Sequence, residues 1–372
     1  MQADMSIFNG ARCVVTGAGG TVGKELCKQL IKLGANEIRA LDNSETALWD
    51  LENEILAPEV RCFLVDICNE DHLKRYFQET DFVFHAAALK HVPFCETQPH
   101  AAIEINVRGV ESVINAAIYC GVKRVLFTSS DKAVNSTNLM GATKFVGERM
   151  ITAANNLVSK EQQTRFASTR FGNVAMSNGS VIPRFIDQIR NGRPLTITDR
   201  SMTRFMMSIE ESVSLVIKSM ALMQGGEVFV TQMPVVRIGD LADVLIEELA
   251  PRFGHTMNDY PVNITGARPG EKLYEELTTE EEIARSWEFD DLIVVLPAFR
   301  NIYGYIDFAG YEKTGKRMSK VYHSHQEPLL SKDDIRAFLS GLRVFETDSP
   351  DSSAEATERD NVFLVRGFAG NA

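Results

Sequence analysis

Three consecutive residues, Ser130, Asp131 and Lys132, place a hydroxyl, a carboxyl group and an amine side by side. A neighbouring acid and base can take opposite roles in proton transfer when their surroundings push their pKa values apart. A second amine, Lys144, lies on a predicted helix, and Met140 shares its helix face because the two are four positions apart. These residues are candidates for acid–base catalysis, although an adjacent acid and amine more often form an ion pair on the surface.

A second candidate site is a glycine-rich segment with the spacing GxxGxxG, in which Gly17, Gly20 and Gly23 surround Thr21 and Val22. Glycines at this spacing permit a tight turn and let the backbone approach a pyrophosphate. The free N–H groups of the helix that follows favour a bound phosphate. Three glycines alone are also compatible with a purely structural turn.

The elements that must position both segments alternate between strands and helices. We predict strands at Arg12–Thr16, Glu37–Asp42, Val60–Asp66, Phe82–Ala86 and Arg124–Ser129, and helices at Gly23–Leu33 and Ala102–Tyr119. This alternation predicts parallel strands joined by right-handed helical crossovers. The fold class is therefore α/β, a Rossmann-type doubly wound parallel sheet, and ligands should bind beyond the carboxyl ends of its strands.

A carboxylate at the end of the second predicted strand indicates which nucleotide the glycine-rich turn serves. Asp42 follows Gly17 by 25 residues and can accept hydrogen bonds from an adenosine ribose. The same carboxylate would repel a 2′-phosphate, which favours NAD over NADP. Arg39, earlier in the strand, is the one residue that weakens this choice.

Two further strand ends fit the same ligand. Asp66 and Ile67 follow the third predicted strand, where an adenine would lie, and Ala86 and Ala87 supply small side chains at the end of the fourth. Because these strand ends meet at one edge of the sheet, the sequence predicts an NAD site there.

After about residue 172 the alternation loosens, and helices such as Ile209–Met223 and Ile238–Leu249 are separated by loops. We expect an NAD-binding domain over 1–172 and a smaller, mainly substrate-binding domain over 173–330, parts of which can return to the first. Residues 331–372 are a C-terminal extension, flexible over Val344–Asn361 because that segment is rich in Ser, Asp and Glu.

Composition and charge restrict the partners. The 372 residues carry a net charge of −11, of which six acidic residues and one arginine between 344 and 361 supply −5. This balance disfavours non-specific binding to nucleic acid or anionic membranes, but it leaves room for a locally positive pocket. The amino terminus lacks the pattern of a signal peptide, and no apolar run reaches the roughly 18–20 residues of a membrane span, so we expect a cytoplasmic protein. The six cysteines contain no CxxC pair, which predicts reduced thiols and no metal site.

Six motifs resemble one enzyme family. They are Lys90–Pro93, Ser130–Asn135, Asn138–Lys144, Arg170–Asn173, Met202–Phe205 and Gly266–Lys272. Together they resemble the extended short-chain dehydrogenase/reductase superfamily, in particular the UDP-N-acetylglucosamine 4,6-dehydratases of polysaccharide biosynthesis. The resemblance covers about residues 8 to 280. In the superfamily the helix carries Tyr-x-x-x-Lys, and Met140 takes the tyrosine position, as it does in that dehydratase group.

The resemblance implies a mechanism. NAD oxidises C4 of the sugar, water is lost across C5 and C6, and hydride returns to C6. Asp131 would be the acid for departure of the C6 hydroxyl and Lys132 the base at C5, with its pKa lowered by nearby Lys144 and by the cofactor. Either Asp131 or Ser130, through a relay, would take the C4 hydroxyl proton. Lys144 would also bind the nicotinamide ribose, and Phe171 the cofactor.

The resemblance also implies a site for a nucleotide diphosphate sugar. Residues expected to bind it are Lys90, His91, Asn173, Arg184, Arg204, Arg268 and Glu271. Guanidinium groups suit bidentate contact with phosphate. UDP-N-acetylglucosamine is the expected substrate; a GDP-sugar and inversion at C5 both stay open. A homo-oligomer is expected, and we interpret the His323 and His325 pair as incidental.

Two other functions are compatible with the sequence. A nucleotide-sugar epimerase shares the fold and cofactor but performs no elimination, and the presence of Asp131 and Lys132 without the tyrosine disfavours it. A non-catalytic NAD-binding redox sensor would bind the cofactor without turnover.

Overall fold

A ten-stranded sheet lies at the centre of the computed structural model, which describes residues 3–158, 164–177, 179–258, 260–266, 270–303 and 305–346. Its strand order is β15-β13-β14-β10-β6-β5-β4-β1-β2-β3. The strands are β1 Arg12–Thr16, β2 Glu37–Asp42, β3 Val60–Leu64, β4 Phe82–His85, β5 Arg124–Ser130, β6 Arg165–Phe171, β7 Asn173–Val174, β8 Leu195–Ile197, β9 Thr203–Met207, β10 Val228–Thr231, β11 Val235–Arg237, β12 Val262–Ile264, β13 Ser286–Glu288, β14 Leu292–Val295 and β15 Lys316–Arg317. From β3 to β10 every neighbouring pair is parallel, and this confirms the predicted doubly wound sheet.

Helices cover both faces of this sheet. They are α1 Thr21–Lys32, α2 Glu45–Glu54, α3 Glu70–Phe77, α4 Val92–Thr97, α5 Pro99–Ile103, α6 Gly109–Cys120, α7 Leu139–Ala154, α8 Val181–Arg190, α9 Ile209–Leu222, α10 Ile238–Leu249, α11 Glu280–Ile283, α12 Ala309–Thr314 and α13 Lys332–Gly341. Successive residues of a strand point to opposite faces. Val15 accordingly packs in one core with residues of α1 and α9, and Val14 packs in another with residues of α3, α6 and α7.

Apart from the helix predicted over 102–119, the predicted elements agree with the structure to within two residues at each end, and two of the differences concern segments that border the site. The third strand ends at Leu64, because the Asp66 carboxylate accepts a hydrogen bond from the backbone N–H of Cys68 (2.9 Å) and begins a turn there. The long helix predicted over 102–119 contains a π-helical segment, Glu104–Arg108. Within it the side chain of the buried Asn106 accepts a hydrogen bond from the backbone N–H of Leu89 (2.8 Å) and donates one to the carbonyl oxygen of Leu89 (3.0 Å). These two bonds hold the loop after β4.

The chain after residue 172 contributes to both parts of the molecule. Strands β10, β13, β14 and β15 extend the large sheet beyond β6. A second core forms around α8, α10 and α13, where Phe185, Leu245, Ile335 and Leu339 are fully buried. Helix α13 thus belongs to this core, although it lies in the predicted C-terminal extension. The predicted flexibility of Val344–Asn361 falls, from residue 347 onward, outside the described residues.

We searched the described ranges for a membrane span, and none of their helices combines the length and the apolar character that one requires.

Candidate active site

The carboxyl ends of the parallel strands border a cleft, here called the main cleft. Every residue predicted to bind the cofactor lines it: Gly17, Gly20, Thr21, Val22, Gly23, Asp42, Asp66, Ile67, Ala86, Ala87, Lys144 and Phe171. The structure therefore brings together segments from five strand ends at one place.

The glycine turn at the start of α1 requires its glycines for more than flexibility. Gly17 has a φ of +69°, and a Cβ atom there would lie 2.7 Å from the backbone of Ala87. A Cβ atom at Gly23 would collide with the carbonyl oxygen of Gly17. The turn is thus packed tightly against the loop after β4, and it presents the N-terminus of α1 to the main cleft. This cradle fits the pyrophosphate of a dinucleotide.

Asp42 and Arg39, the residue that weakened the prediction of NAD over NADP, lie in different surroundings. Asp42 lines the main cleft and accepts hydrogen bonds from the backbone N–H groups of Gly19 and Ser44, both at 3.0 Å. Arg39 instead donates to the carbonyl oxygens of Tyr76 (2.8 Å) and Gln78 (2.7 Å) and pairs with a glutamate on its own strand. Its guanidinium is therefore held by groups outside the cleft lining.

The candidate catalytic residues sit in the turn that follows β5. The Ser130 hydroxyl donates to Asp131 Oδ1 (2.6 Å), and Lys132 Nζ donates to both carboxylate oxygens of Asp131 at 3.0 and 3.1 Å. The Asp131 side chain is only 4% exposed and that of Lys132 34%. The two residues do form an ion pair, but it is largely buried at the edge of the main cleft and is not on the open surface.

The prediction that Lys144 lowers the pKa of Lys132 is wrong. Burial lowers the pKa of Lys132, but the carboxylates of Asp131 and Glu275 outweigh burial, and the net shift is upward. Burial raises the pKa of Asp131, but the charge of Lys132 and the hydrogen bonds that Asp131 accepts outweigh burial, and the net shift of this pKa is downward. In the structure, therefore, Lys132 is held as an ammonium and Asp131 as a carboxylate.

Helix α7 delivers Met140 and Lys144 to the main cleft. The Asn138 side chain caps the helix by accepting a hydrogen bond from the N–H of Gly141 (2.9 Å). Lys144 Nζ donates to the carbonyl oxygen of Thr128 (2.9 Å), and burial lowers the pKa of this lysine to about 8. Met140 is 3% exposed. It takes the position that carries tyrosine in the wider superfamily, and its thioether has no proton to transfer.

Close packing fixes α7 against the turn that carries Lys132. A Cβ atom at Gly141 would collide with the carbonyl oxygen of Lys132. The first turn of the helix therefore rests directly on the backbone of the candidate catalytic residue, and it limits where the amine of Lys132 can reach.

Two smaller cavities adjoin the main cleft on the side of the second core. The first, here called the adjoining cavity, is lined by Asp131, Lys132, Asn173, Arg204, Glu271 and Glu275 among others. The second, here called the arginine cavity, is lined by Asn173, Arg184, Arg204 and Glu271 among others. Lys90 and His91 line the main cleft. Six of the seven residues predicted to bind substrate thus surround one continuous region, and Arg268 lies outside the described residues.

Arg204 is held by several groups of this region. Its guanidinium donates to the carbonyl oxygens of Thr203 and Lys272, both at 2.9 Å, and it pairs with the carboxylates of Glu275 (3.3 Å) and Glu271 (3.7 Å). Binding of a diphosphate by Arg204 would therefore compete with two carboxylates, and it stays a prediction.

Sequence reasoning missed Glu275. This residue is 6% exposed and lies beside Asp131 and Lys132, and burial, followed by the charge of Asp131, raises its pKa to about 7. No local pattern points to it, because the segment around Glu275 belongs to no strand or helix, and nothing in the sequence indicates that Glu275 faces Asp131.

Other polar clusters offer less. Within the part of the chain that the structure describes, no group of three or more His, Cys, Asp or Glu residues is arranged to hold a metal ion. The rings of His323 and His325 pack against Tyr274, with ring centres 5.5 and 5.8 Å from the tyrosine ring.

Three relatives and one solved structure illustrate which known proteins this chain is similar to. Residues 13–297 match the family described as polysaccharide biosynthesis protein. An uncharacterized membrane protein of Methanocaldococcus jannaschii is 45% identical over 92% of this chain and 99% of its own length. A UDP-N-acetylglucosamine 4,6-dehydratase (inverting) of Campylobacter jejuni is 35% identical over 88% of this chain and 96% of its own. A UDP-glucose 4-epimerase of Rickettsia massiliae is 34% identical over 88% and 95%.

The structural comparison agrees with the sequence comparison. The X-ray structure of Pen from Bacillus thuringiensis superposes with a TM-score of 0.82 at 35% identity, and it covers 90% of this chain and 98% of that one. The similarity extends beyond the large sheet, since the aligned region includes most of the residues after 172.

Proposed function

The chain belongs to the family of polysaccharide biosynthesis proteins within the extended short-chain dehydrogenases/reductases, and from this premise we propose that it is an NAD-dependent UDP-N-acetylglucosamine 4,6-dehydratase. The observation that carries the proposal is the buried Asp131–Lys132 pair at the edge of the main cleft, with Met140 at the tyrosine position. Loss of a hydroxyl and a hydrogen from adjacent carbons is accelerated by an acid at one carbon and a base at the other, and this pair can supply both.

The residues around the main cleft fit NAD. Gly17 and Gly23 leave room for a pyrophosphate at the N-terminus of α1, and Asp42 offers a carboxylate to a ribose. When bound, NAD supplies the acceptor for the C4 hydride and returns that hydride to C6. Lys144, held by the carbonyl oxygen of Thr128, places a second amine in the cleft for the nicotinamide ribose.

Asp131 is suited to take the C4 hydroxyl proton, because Ser130 and Lys132 keep it ionised. Once Asp131 has accepted this proton, one of the two carboxylates that raise the pKa of Lys132 is neutral. Burial, which opposes the charged amine, then favours loss of the Lys132 ammonium proton to solvent, which reaches this side chain because it is 34% exposed. The neutral amine can remove the C5 proton, and it gives that proton back to C5 when hydride returns to C6. Asp131 finally gives its proton to the departing C6 hydroxyl, so that one group serves first as base and then as acid.

The substrate would extend from this pair into the adjoining and arginine cavities. Asn173 lines all three spaces, and Arg184 and Arg204 place guanidinium groups where a diphosphate would lie. Glu271 is placed for the nucleoside ribose. The choice between UDP and GDP, the role of Arg268 and the expected homo-oligomer stay predictions.

A second candidate is a nucleotide-sugar 4-epimerase, which the relative of that name at 34% identity favours. An epimerase needs reversible oxidation at C4 but no acid at C6. Met140 cannot exchange a proton with the C4 hydroxyl, so an epimerase would have to use Asp131 alone and would leave Lys132 without a role.

Incubation with UDP-N-acetylglucosamine, without added reductant, tests the proposal. We expect mass spectrometry to show loss of one water from the substrate. An epimerase would give an isomer of unchanged mass, and an NAD-binding redox sensor would leave the substrate intact. Parallel incubations with UDP-glucose and a GDP-hexose identify the nucleotide and the sugar that the site prefers.

Asp42 provides a test of the cofactor assignment. In the Asp42→Asn variant the side chain can still accept one backbone hydrogen bond, but the negative charge is gone. We expect the Kd for NAD to rise about tenfold, since hydrogen bonds to a charged group contribute about 1.5–3 kcal/mol. The Kd for NADP should fall. Titration calorimetry with both nucleotides measures the change.

The matched control for this measurement is Asp50→Asn, on the exposed side of α2. It removes the same charge without touching the main cleft, so both Kd values should match those of the wild type. An Asp42→Asn variant that keeps the wild-type ratio of the two Kd values would contradict the assignment.

A further inference from the structure

The side-chain amide of Asn173 has both of its N–H groups engaged by the protein. Asn173 Nδ2 donates to Glu275 Oε1 (2.8 Å) and to the carbonyl oxygen of Phe205 (3.3 Å). An amide nitrogen carries two hydrogens, so these two bonds use every donor of this side chain. A ligand that reaches the amide must therefore meet its oxygen, Oδ1.

The groups around Nδ2 fix which way the amide faces. Glu275 is 6% exposed, and its second carboxylate oxygen accepts the backbone N–H of Phe205 (3.0 Å). Arg204 Nε lies 3.3 Å from the oxygen that Asn173 contacts. Turning the amide over would place Oδ1 against a carboxylate oxygen and a carbonyl oxygen, with no hydrogen between these acceptors. The orientation with Nδ2 toward Glu275 is therefore the stable one.

Close packing of the backbone holds both partners of this amide in place. A Cβ atom at Gly172 would lie 2.8 Å from Cβ and 3.2 Å from the carbonyl oxygen of Phe205, so β7 begins in close contact with β9. The backbone N–H of Glu275 donates to Oγ of the fully buried Ser324 (2.9 Å). The acceptors that orient the Asn173 amide thus belong to well-packed parts of the molecule.

Asn173 lies where the spaces of the site meet. It lines the main cleft, the adjoining cavity and the arginine cavity, and Asp131 and Lys132 line the adjoining cavity beside it. A sugar whose C4, C5 and C6 face this pair would therefore pass next to Asn173. The oxygens of an ionised diphosphate only accept hydrogen bonds and would face another acceptor in Oδ1, whereas a hydroxyl or an amide N–H of the sugar can donate to it.

We propose that Asn173 recognises a hydrogen-bond donor on the sugar of the substrate, and not its diphosphate, and that Glu275 is the positioning residue that turns Oδ1 of Asn173 toward this donor. The inference rests on the proposed dehydratase function. In the proposed reaction Asp131 engages the C4 and C6 hydroxyls. Two donors of an N-acetylglucosamine then remain, the C3 hydroxyl and the acetamido N–H at C2, and the experiment distinguishes them.

Two substrate analogues that each lack one of these donors test the recognition. One is the 3-deoxy analogue of UDP-N-acetylglucosamine, and the other is UDP-2-O-acetylglucose, in which an ester oxygen replaces the acetamido N–H. We expect kcat/KM of the wild type to fall at least about tenfold for one of them, because Oδ1 then lacks its partner. The reactions are run at a pH of about 8, since the pKa of Glu275 is about 7 and its carboxylate is then ionised.

Asn173→Leu removes the amide. Its kcat/KM for UDP-N-acetylglucosamine should fall about tenfold, and its discrimination against the analogue that lacks the donor should shrink to within about threefold. Comparing both enzymes on the same analogue cancels any effect of the altered sugar on the chemistry itself. UDP carries the diphosphate without the sugar, so its Kd, measured by titration calorimetry, should stay within about threefold of the wild type.

Glu275→Met tests the positioning role, because it leaves Asn173 unchanged and removes the oxygen that orients its amide. This variant should lose the same discrimination between substrate and analogue, a ratio that a merely structural role would not change. The matched control is Asn115→Leu. Asn115 Nδ2 also donates to a glutamate, Glu70 Oε2 at 3.0 Å, but from an exposed position on α6. Its discrimination and its Kd for UDP should equal those of the wild type.

Four outcomes would overturn the inference. The first, which needs no variant, is a wild type whose kcat/KM for both analogues lies within about threefold of that for UDP-N-acetylglucosamine. The second and third are full discrimination in Asn173→Leu or in Glu275→Met. The fourth is a Kd for UDP that rises about tenfold or more in Asn173→Leu, since the amide would then hold the diphosphate. If the wild type forms no dehydrated sugar at all, the proposed function fails, and UDP binding by Asn173→Leu still tests whether the amide holds the diphosphate.

Discussion

Replacing Lys132 by methionine is expected to lower the rate of product formation by at least about a thousandfold while NAD still binds. General bases contribute about 10²–10⁴ to a rate, and methionine keeps the length of the side chain while removing the amine that would take the C5 proton. The substitution also takes from Asp131 the cation that holds its pKa down. Mass spectrometry of the sugar product measures the rate, and titration calorimetry measures NAD binding.

The control for this substitution lies on the same strand. Lys123 stands just before β5, at the end opposite to Lys132, and pairs with Asp81 at 2.7 Å from a position that is 71% exposed. Lys123→Met should therefore leave turnover within about twofold of the wild type, as surface ion pairs contribute little. Turnover close to that of the wild type in Lys132→Met would rule out Lys132 as the base at C5.

The second large effect concerns stability. Arg170, on β6, is 1% exposed and lies between two buried carboxylates, Glu148 on α7 at 2.6 Å and Glu282 on α11 at 2.8 Å. Arg170→Met should lower the free energy of unfolding by about 3–5 kcal/mol, because it removes the one cation that hydrogen-bonds both buried carboxylates and leaves them only Arg149 and Arg285 at 3.7–4.0 Å. Urea denaturation at neutral pH measures the change.

The loss should become smaller in acid. Burial raises the pKa of Glu282, but Arg170 outweighs it and holds this pKa below its ordinary value, so removal of Arg170 lets the glutamate take up a proton more readily. Protonation removes the uncompensated charge, and the variant should therefore recover part of its deficit as the pH falls. Arg149→Met is the matched control, since Arg149 approaches the same carboxylates at 3.7–4.0 Å from a position that is 40% exposed. A deficit below about 1 kcal/mol in Arg170→Met would show that Arg170 is not needed to balance these charges.

Much of the fold could be predicted from local sequence. Strands β1 and β2 have the predicted bounds, Arg12–Thr16 and Glu37–Asp42. A strand that is buried on both faces appears in the sequence as a short apolar run between turn residues, and such a run can be identified without the structure. The residues of the main cleft could be predicted for the same reason. They follow the strands directly, and the carboxyl ends of parallel strands meet at one edge.

The electrostatics of the site could not be predicted in this way. The protonation of Lys132 depends on Glu275, which lies far along the chain on a segment that no local pattern directs toward β5. The engagement of Arg204 by Glu271 and Glu275 is likewise a product of the tertiary fold. Such charges act through space, and their balance appears only when the distances are known.

The division between the large sheet and the second core also depends on the tertiary fold. The sequence indicates a change near residue 172 and allows later segments to return to the first domain, but it does not indicate that β10, β13, β14 and β15 are the strands that join the large sheet. Strand β10 pairs with β6 in parallel, and this pairing depends on a connection that first passes through the smaller core. Local sequence patterns predict individual strands and helices, but they do not predict the order in which the strands join a sheet.

That return has a consequence for how the molecule can be divided. A fragment that ended at residue 172 would contain the glycine-rich turn and β5, but its last strand, β6, would lose the hydrogen-bonded neighbour that β10 provides. An exposed edge of this kind, built from buried residues, invites pairing with other chains and aggregation. The half that contains the glycine-rich turn is therefore not expected to behave as an independent module, and shuffling of the two halves between homologues would have to exchange at least two separate stretches of chain at once.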